Sequence, residues 1–207
     1  MSDSSFGDRP ARGPSGDRYR NFAELAREQV EGQDFRIHCT PRESWLSVIA
    51  PHGGGIEPGT LPLARSLAGT EHSFYALEGI RQGGDNNVLH ITSHHFDEPR
   101  CLELLARSPR VLALHGRATR KATVCVGGRD GEFAQHLAQA LEAGGFVLEE
   151  LKRFSGRHPR NICNRGLRHA GVQLELGAPL RTADVRPALV ALLGQALRDF
   201  GETLSKA

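Results

Sequence analysis

Apolar positions recur along this chain with two alternating periods. From Asn21, the segment NFAELAREQ puts Phe22, Leu25 and Ala26 on one helical face, and DFRIHCT and WLSVIA then alternate or run apolar as strands do. GTLPLARSLAG returns Leu61, Ala64, Leu67 and Ala68 at helical spacing, with Gly69 placed to stop the helix. HSFYALEG and NNVLHITS read as strands, EPRCLELLARS as a helix, RVLALHG and TVCVGG as strands, GEFAQHLAQALEAGG as a helix ended by glycines, and FVLEE and GVQLELG as strands. TADVRPALVALLGQALRDF completes the pattern as a long apolar-faced helix for which Thr182 is the expected N-cap.

This alternation predicts a single α/β domain over residues 19–207, with a mixed, mainly parallel sheet covered by helices on both faces. In an open sheet of that kind, ligands gather at the carboxyl ends of the strands. Residues 1–18 are rich in Ser, Gly, Pro, Asp and Arg and carry too little apolar area to order themselves, so a disordered tail is expected there.

Composition narrows the function classes. Of 207 residues, 39% are hydrophobic and 24% charged, with a formal net charge of +2, which is the profile of a globular domain and gives no global pull toward nucleic acid or membrane. No apolar run approaches the roughly 18 residues of a membrane span, and the first twenty residues have no apolar core of the signal-peptide kind. The expectation is a cytoplasmic protein without a membrane partner. Cys39, Cys101, Cys125 and Cys163 lie far apart with no C-x-x-C pair, so they read as reduced, mostly core cysteines.

Three stretches carry candidate chemistry. In SVIAPHGGGIEPGT, His52 and Glu57 follow the carboxyl end of one strand, and His115 follows that of RVLAL. Two histidines and a carboxylate are the ligand combination of catalytic zinc sites that leave a position for water. The glycine run also suits a plain turn or a phosphate cradle, and His115 also suits a hydrogen-bonded structural histidine. His94 and His95 form a competing pair of which one at most shares a face with His52. His72, His90, His136, His158 and His169 have no partner at a metal-like spacing and read as surface or core residues.

In GVQLELG, Glu175 shares a face with Gln173 near a strand's carboxyl end, where a carboxylate is placed to act as a general base or else to sit exposed on a half-solvated strand. Residues 152–168 hold Lys152, Arg153, Arg157, Arg160, Arg165 and Arg168 with no acidic residue, and Arg117, Arg120 and Lys121 follow His115. One basic loop on a nearly neutral chain points to a localised anion site, since guanidinium binds carboxylate or phosphate in bidentate fashion. A solvated loop and a nucleic-acid contact share that composition, though the missing interleaved aromatics speak against single-strand binding.

Taken in order, PHGGGIEPGT, HITSHHFDEP, LALHG, NICNRG and GVQLEL resemble the motifs of the poly-γ-glutamate hydrolase family of phages and bacteria, over about residues 35–200. The resemblance implies a compact relative of the zinc carboxypeptidase fold that cleaves γ-glutamyl amide bonds. It implies one zinc ion per chain held by His52, Glu57 and His115, with Glu175 as the catalytic carboxylate. Asn161 and Arg165 would contact substrate, joined by Arg160 and Arg117 at the α-carboxylates of an anionic polyglutamate chain, and His94 or His95 would support the ligands from behind. An enzyme acting on an extracellular polymer without a leader would need release by lysis or another export route. Two other readings stand beside this one: a carboxypeptidase or aminoacylase for small N-acyl amino acids, and a non-enzymatic nucleic-acid-binding module built on the 152–168 loop.

Overall fold

The computed structural model describes residues 16–206, so the expected tail lies almost entirely outside the described residues. Strands β1 (Phe35–Thr40), β2 (Leu46–Gly54), β3 (Ser73–Gly79), β4 (Arg110–Arg117), β5 (Thr123–Gly128), β6 (Val147–Leu148) and β7 (Val172–Gly177) form one sheet in the order β1-β3-β2-β4-β7-β5-β6. Four of its six pairings are parallel, and β1 with β3 and β5 with β7 are antiparallel. The mixed, mainly parallel sheet expected from the alternation is therefore present. No helix of the described residues is long and apolar enough to cross a membrane.

Five α-helices cover it: α1 (Phe22–Glu28), α2 (Thr60–Ala68), α3 (Pro99–Leu105), α4 (Gly131–Ala143) and α5 (Arg186–Ser205). Strand side chains alternate between two cores, as period-two geometry requires. On one face Leu46, Val48, Leu112, Leu114, Leu174 and Leu176 pack with Leu63 and Leu67 of α2, Phe133 of α4 and Leu193 of α5. On the other, Ile49, Tyr75, Leu77, Val111 and Ala113 pack with Leu25 of α1 and Leu104 of α3. Each such fully buried aliphatic side chain contributes roughly 1.5–3 kcal/mol of burial free energy.

Helix starts follow from short polar side chains. Asn21 accepts from Glu24 N at 2.9 Å and Asp130 from Phe133 N at 3.3 Å, satisfying amides that have no partner within the helix. Thr182 does not cap α5. Its hydroxyl turns back to the Pro179 carbonyl at 3.1 Å, its own carbonyl accepts from Arg186 N, and the helix opens at Arg186 with Pro187 in its first turn.

Two expected strands differ in form. NNVLHITS is not a strand: Asp85 accepts from Asn87 N at 2.9 Å and closes a 3₁₀ turn over Asn86–Leu89, while Leu89 and Ile91 drop into the core beside α1 and α3. FVLEE shrinks to the two-residue edge strand β6.

Candidate metal centre and catalytic pocket

His52 lies within β2, two residues before its end, and a one-residue irregularity decides which way it faces. Ala50 is opposite Ala76 of β3, yet Gly53 is opposite Glu78, so β2 carries one extra residue between these pairs. Leu46, Val48 and Ala50 face the core of α2, α4 and α5; without the bulge His52 would follow them. The extra residue moves it to the opposite face, the one shared by Val111 and Ala113 of β4 and therefore by His115. Pro51, which has no N–H to give to a sheet ladder, occupies the bulge.

The glycines then fold the chain back. Gly54 has φ of +62°, in the left-handed region open to glycine. Glu57 N donates to His52 O at 2.9 Å, and the Thr60 hydroxyl donates to Glu57 O at 2.8 Å. The Glu57 carboxylate is thus brought against His52 Nδ1 at 3.2 Å and accepts from Gly116 N at 2.8 Å.

His115 comes from β4, with its Nδ1 3.2 Å from His52 Nδ1 and 3.7 Å from Glu57 Oε2. Both rings are buried, at 1% and 2% exposure. His52 Nε2 donates its proton to Ile91 O at 2.8 Å, and burial together with the neighbouring His90 depresses the His52 pKa, favouring the neutral ring. Burial opposes ionisation of Glu57, but the charge of His52 and the hydrogen bonds from both imidazoles outweigh it and hold the carboxyl well below the usual range. His52 Nδ1 and His115 Nδ1 converge beside the Glu57 carboxylate, and imidazole nitrogen with carboxylate oxygen is a donor set that suits zinc. His52, Glu57 and His90 also present one ligand atom each within 4.8 Å of one another. His90, read from the sequence as having no partner, is therefore part of the cluster. Its ring stacks on His52 at 4.2 Å between centroids, and its Nδ1 is 2.7 Å from an Asp17 carboxylate oxygen 73 residues away in sequence.

Glu175 is the register partner of His115 across the parallel β4–β7 pair. Leu174 and Leu176 face the opposite core, so Glu175 and Gln173 point to the histidine side. Gln173 Nε2 donates to Glu175 Oε1 at 3.1 Å, and Asn161 Nδ2 donates to Gln173 Oε1 at 2.8 Å. Burial raises the Glu175 pKa, with His115 and Arg117 pulling against it and Glu57 reinforcing it. A carboxyl so placed can both accept and return a proton. The His115 pKa ends above its ordinary value, because the Glu57 hydrogen bond and the Glu175 charge outweigh the opposing effect of burial.

These groups open on a cleft of about 480 Å³ lined also by Ser93, His94, Arg117, Arg153 and Phe154. Arg117 is 7% exposed and engaged, donating to Glu149 Oε2 at 2.9 Å and to the Thr123 hydroxyl at 2.8 Å. Arg153 is exposed, with its guanidinium 4.6 Å above the Phe154 ring. Asn161 lines the cleft, whereas Arg160 and Arg165 are exposed and outside its lining. His94 lines the cleft and packs against His95 and His158, at 4.2 and 5.0 Å between ring centroids.

The sequence profile of the poly-gamma-glutamate hydrolase family matches residues 19–185. The SPbeta prophage-derived UPF0714 protein YoqZ of Bacillus subtilis (strain 168) is 39% identical over 168 residues, which are 80% of this chain and 60% of that protein. The chain thus spans only about three-fifths of that relative's length. Among solved structures, a bacteriophage poly-gamma-glutamate hydrolase superposes with a TM-score of 0.84 at 26% identity, covering 89% of this chain and 98% of that one. The zinc-free form of YndL superposes with a TM-score of 0.81 at 33% identity, covering 88% and 98%.

Proposed function

The chain belongs to the poly-gamma-glutamate hydrolase family, and on that premise we propose that it is a zinc-dependent hydrolase of γ-glutamyl amide bonds. The observation carrying this reading is the burial of His52, Glu57 and His115 against one another with Glu175 in the same cleft. That a similar protein was solved in a form named zinc-free lends support to zinc as the ion.

His52 Nδ1, Glu57 and His115 Nδ1 would hold the ion, and His90 offers a further donor on the same side. When bound, zinc supplies Lewis-acid polarisation of the scissile carbonyl and of the attacking water. Glu175 takes the proton from that water and returns it to the leaving amine, while Gln173 fixes the carboxylate's orientation. Phe154 and Gly156 line the same cleft. Every residue of a γ-linked chain keeps a free α-carboxylate, and the exposed Arg153 at the mouth is placed to pair with one.

The test is to incubate the zinc-loaded protein with poly-γ-glutamate and, separately, with α-linked polyglutamate of matched length, following chain length. Shortening of the γ-linked polymer alone is expected. Cleavage confined to α-linked chains or to small N-acyl amino acids would replace this reading with that of a carboxypeptidase or aminoacylase.

A further inference from the structure

Arg181 ends the 3₁₀ turn Ala178–Arg181 that follows β7, and the residue is buried at 8% exposure. It makes no ion pair among the described residues. Instead it donates to three backbone carbonyls: Nε to Leu176 O at 3.2 Å, Nη2 to Arg117 O at 3.1 Å, and Nη1 to Pro58 O. Each acceptor lies within two residues of a residue of the candidate site. Pro58 follows Glu57, Leu176 follows Glu175, and Arg117 is two residues beyond His115.

The backbone around this side chain is shaped to admit it. A Cβ on Gly116, the residue between His115 and Arg117, would stand 2.6 Å from the Arg181 Cζ, and a Cβ on Gly59 would strike the Arg181 backbone. The guanidinium cannot swing away from such a methyl without releasing carbonyls that are buried with it. Lysine could not take its place, because a point ammonium lacks the rigid fork that reaches three acceptors in one plane.

We propose that Arg181 is a positioning residue that ties the loop after β2 to the ends of β4 and β7 and so sets the mutual placement of Glu57, His115 and Glu175. For its consequence in turnover, the inference rests on the hydrolytic reading above. A misplacement of about 1 Å costs on the order of 10²-fold in rate when catalytic groups act together.

The experiment uses the full chain carrying Arg181→Lys, Arg181→Gln or Gly116→Ala. The last of these keeps the backbone N–H that donates to Glu57 and drives a methyl against the guanidinium, whose atoms are its nearest neighbours. Two readouts are taken: the imidazole ¹H–¹⁵N signals of His52 and His115 in metal-free protein, with His38 and His136 as distant controls, and kcat and KM of the zinc-loaded protein on a γ-glutamyl oligomer. The expected result is displaced His52 and His115 signals with unmoved controls, and kcat lowered about 10²-fold with KM within about threefold. Lysine at this position should be no better than glutamine.

Site signals that stay in place with kcat within about twofold of wild type would overturn the inference. So would shifts spread equally to His38 and His136, which would mean general loosening. If wild type itself does not turn over the oligomer, the hydrolytic reading fails and the histidine signals alone decide the role of Arg181. If the Arg181 variants do not fold, Gly116→Ala decides it.

Discussion

The Nδ1 atoms of His52 and His115 face each other at 3.2 Å inside a buried pocket, while Nε2 of His52 is committed to the Ile91 carbonyl. With the Glu57 carboxylate on the same side, the proposed ligand set would hold one cation at these atoms. An ion bound by the folded chain alone stabilises it by mass action, by about 2.7 kcal/mol at one hundred times its Kd. Zinc should therefore raise the melting temperature by roughly 5–10 °C, a chelator should reverse the rise, and His52→Ala with His115→Ala should abolish it. A melting temperature indifferent to zinc in wild type would count against the ligand set.

Arg153 lines the cleft from an exposed position over Phe154, without an ion pair among the described residues. Arg153→Ala is expected to raise KM for a γ-glutamyl oligomer about tenfold, equivalent to about 1.4 kcal/mol, with kcat little changed. The wild-type advantage should shrink as salt is added. Steady-state kinetics at two ionic strengths checks both; an unchanged KM removes Arg153 from substrate binding.

Gly54 holds φ of +62°, and a Cβ there would lie 2.5 Å from Gly79 O. Gly54→Ala should cost roughly 1–3 kcal/mol of stability, and it should also weaken zinc binding, because the turn that returns Glu57 to His52 must shift. Thermal melts with and without zinc report the two effects, and a variant as stable and as zinc-responsive as wild type would show that this turn does not set the site.

The Glu175 carboxyl is raised by burial and by Glu57, against the pull of His115 and Arg117. A carboxyl whose pKa is higher folded than unfolded favours the fold at low pH and loses that contribution as pH climbs through its folded value. In metal-free protein, Glu175→Gln should therefore gain melting temperature relative to wild type as pH rises from about 4 to 7. A constant gap across that range contradicts the assignment.

Much of this was legible in the sequence because the signals were local. Period-two runs placed β2, β4 and β7, and the HGGGIE and VQLEL stretches marked His52, Glu57 and Glu175. What escaped depends on partners distant in the chain. His90 joins the cluster through the His52 ring and Asp17, and Arg181 reaches the site through carbonyls near residues 58 and 117. The β2 bulge is equally hidden, since alternation alone would put His52 on the wrong face and only the register with β3 reveals the extra residue. NNVLHITS misled because Leu89 and Ile91 are buried as strand residues would be, while Asp85 had already closed the backbone into a turn.

The most direct test of the central claim is the rate of γ-glutamyl oligomer hydrolysis by Glu175→Gln, with zinc content measured on the same sample. Glutamine keeps the size of the side chain and its bond from Gln173 but cannot take a proton. The account predicts about one zinc per chain retained and a rate lower by about 10² to 10⁴. Full zinc with a rate within a few-fold of wild type would contradict it.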